Sequence, residues 1–499
     1  MELPLSPEDQ TFRDDIRAFI DAELRPDIRR KVDLGLHLSR DDYMAWQDAL
    51  AARGTRFTSA YTNSPICVSA RASLATGRYV HEHQCWDNAI AYDGTPPGWA
   101  HKLQDAGHPV TSIGKLHYTS ADAPGGFDKQ VMPMHIAGGV GDLHGSVRDE
   151  IPVRYQSENM SKQVGPGVTK YQDYDRNITD AACSWLNEAA SNPSEKPWVL
   201  FVSYICPHFP LIAPQEYFDM YADVDIPLPK QRLDDMDETH PWWQGFMGSY
   251  IFDQYFMDDD HRRRAIQNYL GLCTFLDDNI GRVLAGLEAA GLGDTTRVAY
   301  FSDHGDNMGA RKMWGKSTMY EESVGVPMML AGPGIESGQV RKTHVSLIDV
   351  YPTVLSGVGE SVNDETLPGT SLLEIVNASD DPDRTVFSEY HGAGARTGAF
   401  MLRQGPYKYI HYVDFTPELY DLEADPEELH DLSASPDHQQ LIKDFEKQLR
   451  SMIDPEAIDR TAKKDQAALI EQHGGREKIV SGGGIHGTPV PKEGLANVD

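Results

Sequence analysis

Four short segments carry residues able to do chemistry. The first, Asn63-Ser-Pro-Ile-Cys-Val-Ser-Ala-Arg-Ala-Ser-Leu-Ala-Thr-Gly-Arg78, sets Cys67 and Arg71 four residues apart among small residues. Alone that pair carries little weight, because buried cysteines are common and mostly inert. The second, Gly107-His-Pro-Val-Thr-Ser-Ile-Gly-Lys-Leu-His117, reads as a helix end, a short strand and a glycine that presents Lys115 and His117 together. A lysine and a histidine converging on one point suit an oxyanion and a leaving group. The plainer alternative is a solvated lysine beside a satisfied loop histidine. In the third, Pro207-His208-Phe209-Pro210, prolines fix the histidine just after a strand, where open α/β sheets bind ligands. The fourth, Phe301-Ser-Asp-His-Gly-Asp-Asn-Met-Gly309, leads into Trp314-Gly-Lys316 and Tyr320-Glu-Glu-Ser-Val-Gly-Val-Pro327. Asp303 and His304 at a strand end offer a carboxylate and a neighbouring ligand to a hard cation, and the glycine lets the backbone turn sharply.

The elements that must hold these residues are strands alternating with helices. Residues 196–204, 297–302 and 326–331 are near-continuous apolar runs, as expected of buried parallel strands, with a helix over 265–287. This alternation predicts an α/β fold around a doubly wound, mostly parallel sheet over residues 55–380. Short strands at 385–388, 398–403 and 407–411, then a helix near 439–452, predict a smaller α+β subdomain over 381–499, ending in a loosely held tail at Ser481-Gly-Gly-Gly484. Residues 1 to about 54 read as helical. Ser6 with Pro7 forms a cap, Phe12, Ile16, Phe19, Ile20 and Leu24 form an apolar stripe, and a second helix starts at Ser39. The long irregular stretches 140–175 and 215–265 are expected to shape a pocket. Trp242, Trp243 and Tyr255 fit either an aryl- or sugar-facing wall or a satellite core.

Composition narrows the function classes. The 499 residues are 40% hydrophobic and 24% charged, without an apolar run near the ~18 residues of a membrane span. A formal charge of −31 argues against a nucleic-acid partner, since phosphate repels such a surface. An anionic small substrate stays open, because a site needs only a few local cations. Five scattered cysteines (67, 85, 183, 206 and 273) without CxxC spacing suit reduced thiols, and the start carries no basic, apolar leader, so the expected location is cytoplasmic.

Taken together, the four segments resemble the type I sulfatases of the alkaline phosphatase superfamily: Cys-x-x-x-Arg with Thr-Gly, Gly-Lys-x-His, Pro-His-x-Pro, and Ser-Asp-His-Gly followed by Gly-Lys. The resemblance runs from about Arg53 to the C-terminus and includes Asp349-Val-Tyr-Pro-Thr353 and Glu418-Leu-Tyr-Asp-Leu-Glu-Ala-Asp-Pro-Glu-Glu-Leu429. It implies a sulfuric ester hydrolase acting on a small sulfate ester. Cys67 would be converted to formylglycine by formylglycine-generating machinery, and its hydrate would attack sulfur. Arg71 and Lys115 would hold that hydrate, and His117 would assist breakdown of the sulfated form. His208 and Lys316 would bind sulfate and protonate the leaving oxygen. Asp303 and His304, with position 67, would hold a divalent metal, calcium first, with magnesium or manganese as alternatives. A phosphonate monoester or phosphodiester hydrolase would use the same parts.

Two departures follow. Ser69 stands where the family pattern has proline. The family's first strand, which ends in two metal-binding aspartates, has no counterpart in this reading. Instead Phe12-Arg-Asp-Asp-Ile-Arg-Ala-Phe-Ile-Asp and Tyr43-Met-Ala-Trp-Gln-Asp-Ala-Leu-Ala-Ala-Arg-Gly54 resemble the N-terminal helices of acyl-CoA dehydrogenases, as if two unrelated pieces were joined near residues 47–55. Asp41 and Asp42 fit the first turn of a capped helix better than a ligand role. Loss of a central strand would expose its neighbours' backbone edges at roughly 1–3 kcal/mol per unpaired buried group. It would also leave too few oxygens for calcium, so a catalytically defective relative is the reading from another functional class.

Overall fold

The apolar runs fold as strands whose ends gather the four segments at one place. A computed structural model describes residues 52–230, 240–484 and 487–495. The acyl-CoA-dehydrogenase-like reading of residues 1 to about 54, with Asp41 and Asp42, lies outside the described residues apart from its last three positions.

One sheet is parallel, in the order β4-β3-β5, from β3 (Val110–Lys115), β4 (Lys129–Met134) and β5 (Val199–Ser203). A second has the order β6-β7-β1-β8, from β1 (Gly54–Phe57), β6 (Val298–Phe301), β7 (Met328–Ala331) and β8 (Gln339–Arg341). The parallel expectation fails at β7, which runs antiparallel to both β6 and β1. Burial on two faces gives every such strand the same apolar run, so composition carries no direction.

Among the described residues no strand lies between β5 and β6. Each has one partner, β3 and β7 respectively. Leu200, Phe201, Val202, Tyr300 and Phe301 are only half-buried and Ala299 is exposed, although both faces of these strands are covered. On one face Phe201 and Phe301 join Leu74, Leu330 and Val350. On the other, Leu200 and Val202 join Ile178, Ala182 and Val283 from the helices Lys170–Ser191 and Asp259–Ala289. The latter helix starts where Asp258 accepts the His261 N–H (2.8 Å). Among the described residues these two strand edges are therefore unpaired.

A short parallel pair joins β2 (Ala60–Tyr61) to β9 (Val345–Ser346), and an antiparallel sheet β10-β11-β12-β13 follows, from β10 (Val386–Tyr390), β11 (Ala399–Gln404), β12 (Tyr407–Tyr412) and β13 (Glu418–Asp421). The helix Gln439–Met452 covers one face with Phe445 and Leu449, against Phe387, Phe400, Leu402 and Tyr409. On the other face Trp242 and Trp243 are buried among Tyr320, Tyr390 and Tyr412, which decides for the core reading of these tryptophans. The expected loose tail is instead a helix, Gly475–Gly482, and the chain beyond it docks on Lys170–Ser191, where Asn177 donates to the Gly494 carbonyl (2.7 Å).

Candidate active site

Cys67 opens the helix Cys67–Thr76, which ends at Gly77 with φ 67°, where an added Cβ would lie 2.9 Å from the Tyr351 ring. The helix start favours a negative charge on sulfur. Lys316 Nζ lies 2.8 Å from Sγ, His304 Nε2 3.1 Å and Lys115 Nζ 3.8 Å. Burial alone would push the thiol up, but Lys115, Lys316 and His304 together outweigh it, and its pKa lies well below the ordinary thiol value.

Lys115 ends β3. Gly114 before it has φ 98°, and a Cβ there would sit 2.2 Å from the Ser203 carbonyl, so a glycine is what lets β3 and β5 close at this point. Burial, then the neighbouring Arg71 and Lys316, lower the Lys115 pKa, while Cys67 and Asp303 pull it back. Arg71, one helical turn after Cys67, donates from Nε to Asp303 Oδ2 (2.8 Å). Its Nη1 donates to the Lys115 carbonyl (2.8 Å) and to Ser203 Oγ (3.0 Å). Burial would raise the Asp303 carboxyl, but Arg71, His304 and Lys115 together outweigh it and hold it well below the usual range.

His208 Nδ1–H donates to the Phe209 carbonyl (2.8 Å), which leaves Nε2 to accept from Lys316 Nζ (2.9 Å). Burial and then Lys316 push its pKa down to about 4, so it is neutral. His304 Nδ1–H likewise donates to the Gly305 carbonyl (2.8 Å), turning Nε2 toward Cys67. His117, at φ 58°, is buried beside Cys67, and burial, then Lys115, push its pKa down to about 3. All eight residues singled out in the sequence therefore meet around one sulfur.

Three supporting residues escaped the sequence reading. Ser203 receives Arg71. Asn88 Oδ1 accepts the Val68 N–H (3.2 Å) at the helix start. Asp175, fully buried, accepts the Ile205 and Cys206 N–H groups (3.0 and 2.9 Å) and so fixes the loop that carries His208. No local pattern announces them, since each works through a partner distant in sequence. Asp306, beside the Asp-His pair, turns away and accepts from Met308 N and Gly315 N (3.1 and 2.9 Å), shaping the Lys316 loop.

Ligand atoms of Cys67, Asp303 and His304 lie within 4.8 Å of one another. As a metal set they offer one sulfur, one imidazole and one carboxylate already paired with Arg71. Calcium takes about six to eight oxygens, so the described residues alone do not fit it. What the arrangement does supply is three cationic groups and two neutral imidazoles around a nucleophile position, a setting for an anionic tetrahedral substrate.

A family model described as "Sulfatase" matches residues 27–360, and one described as "N-sulphoglucosamine sulphohydrolase, C-terminal" matches residues 309–454. The chain belongs to the sulfatase family. This sulfatase is 30% identical over 430 residues to the choline-sulfatase of Rhizobium meliloti, covering 84% of each protein. It is 30% identical over 443 residues to arylsulfatase K of Danio rerio, covering 82% of this chain and 78% of that one. Its fold is that of the phosphonate monoester hydrolase of Agrobacterium radiobacter, with a TM-score of 0.64, 22% identity and coverage of 81% and 89%. The family match begins at residue 27, ahead of the start near Arg53 expected from the sequence.

Proposed function

We propose that this sulfatase hydrolyses the sulfate ester of a small molecule at position 67, after conversion of Cys67 to formylglycine. The observation that carries the reading is the convergence of Lys316, Lys115 and His304 on Cys67 Sγ within 3.8 Å. An aldehyde at position 67 supplies, once hydrated, an oxygen nucleophile. Around it Lys115 and Arg71 offset the charge of the arriving anion. Lys316 Nζ carries the proton nearest the leaving oxygen, and His208, kept neutral, accepts another of its N–H bonds and holds it in place. His117, neutral, is the base beside position 67. The relatives named a choline-sulfatase and an arylsulfatase support a sulfate ester as the substrate here. From the sequence alone, we infer also a cytoplasmic location and an acyl-CoA-dehydrogenase-like origin for the first ~54 residues.

The test is co-production with formylglycine-generating enzyme, mass spectrometry of the Cys67 peptide, and rates on aryl sulfate and aryl phosphonate esters. Aldehyde formation with faster sulfate cleavage is the expected result. Faster phosphonate cleavage would move the assignment to the phosphonate hydrolases that share the fold. Aldehyde without turnover on either ester would mark a sulfatase-like protein that does not catalyse.

A further inference from the structure

The irregular stretches 140–175 and 215–265 bring Arg154, Gln156, Tyr250 and Phe252 to the wall of the cavity that holds Cys67, Lys316 and His208. Contacts on two sides tie this wall to the reacting position. The Asp142 N–H donates to the Asn88 carbonyl (3.1 Å), and Asn88 Oδ1 accepts the Val68 N–H at the start of the Cys67 helix. Phe252 packs with Phe209 and Trp314, close in sequence to His208 and Lys316.

Arg154 is held from three directions. Its Nη2 donates to Asp142 Oδ2 (2.6 Å), its Nη1 donates to His144 Nδ1 (3.2 Å), and its guanidinium carbon lies 5.3 Å from the centre of the Tyr250 ring. Tyr250 stacks in turn on Phe252, with ring centres 5.0 Å apart. The face of Tyr250 is where a quaternary ammonium would sit, and the protein's own cation already occupies it. A second cation arriving there meets like charge. The guanidinium and the Asp142 carboxylate balance one another, so the wall as a whole calls for an uncharged partner.

Arg154 Nε, the Gln156 side-chain amide and the Tyr250 hydroxyl have no hydrogen-bond partner among the described residues. The guanidinium only donates, whereas the amide and the phenol both donate and accept. The chemical complement is a group of neutral hydroxyls on an alcohol whose carbon skeleton lies against the aromatic pair. A site built to hydrogen-bond hydroxyls discriminates strongly against an alcohol that lacks them.

We propose that Arg154, fixed by Asp142 and Tyr250, is the residue that selects the alcohol part of the ester: it bars a cationic alcohol from the Tyr250 face and, with Gln156 and the Tyr250 hydroxyl, takes an uncharged polyhydroxylated one. This rests on the reading of position 67 as a sulfate-ester site.

The test uses the full-length chain made without formylglycine-generating machinery, so that Cys67 stays a thiol and no ester turns over. Iodoacetamide alkylation of Cys67 is followed by peptide mass spectrometry against rising inorganic sulfate, glucose 6-sulfate or choline sulfate at constant ionic strength. Protection by inorganic sulfate reports the anion site itself, and the difference between the two esters reports the wall. Glucose 6-sulfate should protect at a concentration on the order of tenfold below choline sulfate. Arg154→Lys keeps a cation beside Asp142 but has no Nε–H, and should erase that preference. Tyr250→Phe and Gln156→Leu take away no partnered group, so they keep the proposal testable if Arg154→Lys fails to fold, and each should narrow the preference. Inorganic sulfate should protect all three variants as it does the wild type. Equal protection by the two esters, a preference for choline sulfate, or a preference that survives every variant that folds would overturn the proposal while leaving the anion site standing. Absence of protection by inorganic sulfate and by both esters would overturn the sulfate-ester reading, and the proposal with it.

Discussion

The charge placed around Cys67 predicts how its thiol titrates before any conversion. Lys316→Met removes an ammonium 2.8 Å from Sγ while keeping an apolar stem of similar length. A hydrogen bond to a charged group contributes about 1.5–3 kcal/mol, and one pKa unit corresponds to about 1.4 kcal/mol, so the thiol should rise by about one to two units. Lys115→Met removes a contact of 3.8 Å and should give a smaller rise. The assay is iodoacetamide alkylation against pH on protein made without formylglycine-generating machinery, read by peptide mass spectrometry. Cys67 lines the cavity and is within reach of a small reagent. The other thiols serve as internal controls, because burial pushes Cys85, Cys183 and Cys206 up, and Cys273 up to about 12. Wild-type Cys67 should react first, with a midpoint well below the ordinary ~8.5. A wild-type midpoint in the ordinary range, or one that Lys316→Met leaves in place, would refute the electrostatic account of the site.

Three further outcomes are expected. Asp175→Ala strands the buried Ile205 and Cys206 N–H groups at about 1–3 kcal/mol each, lowering denaturant stability and, through His208, kcat; Asp175→Asn should lose less of both. Glu389, buried between His81 Nδ1 (2.8 Å) and His391 Nε2 (3.0 Å), is held well below its ordinary pKa despite burial, and His81 is raised by Glu389 against its own desolvation. A depressed carboxylate contributes stability above ~4.3 that is lost as pH falls, and a raised imidazole contributes below ~6.5 what is lost as pH rises, so a Tm profile should show a gain between these values that Glu389→Gln flattens. Lys408, buried with Glu321 and Glu428 each 2.7 Å from Nζ, leaves two unbalanced carboxylates when changed to Met, and urea unfolding should show a loss of about 3–5 kcal/mol.

The chemistry was legible because its residues sit in short segments at strand and helix ends, where type and spacing survive without the fold. Strand positions were legible too: the run 297–302 became β6, and the helix read near 439–452 is Gln439–Met452. Strand direction at β7 was not, because an apolar run records burial and says nothing of polarity along the sheet. The helix Pro455–Gln472 was missed although its start is written plainly, with Asp454 accepting the Ala457 N–H (2.9 Å) and proline in the first turn. Asp175 shows the other limit, a buried acid whose purpose is two amides thirty residues away.

Arg71 has a consequence apart from catalysis. Its guanidinium grips the Lys115 carbonyl and Ser203 on one half-sheet and Asp303 on the other, where no backbone bonds join β5 to β6 among the described residues. The two half-sheets therefore meet like the covers of a book, with the spine near Cys67 and the outer margin near Trp198 and Arg297. Breathing of the protein should be smallest where the chemistry happens and grow along β5 and β6 away from it, and a gradient of amide exchange along those strands is how that pivot would be seen.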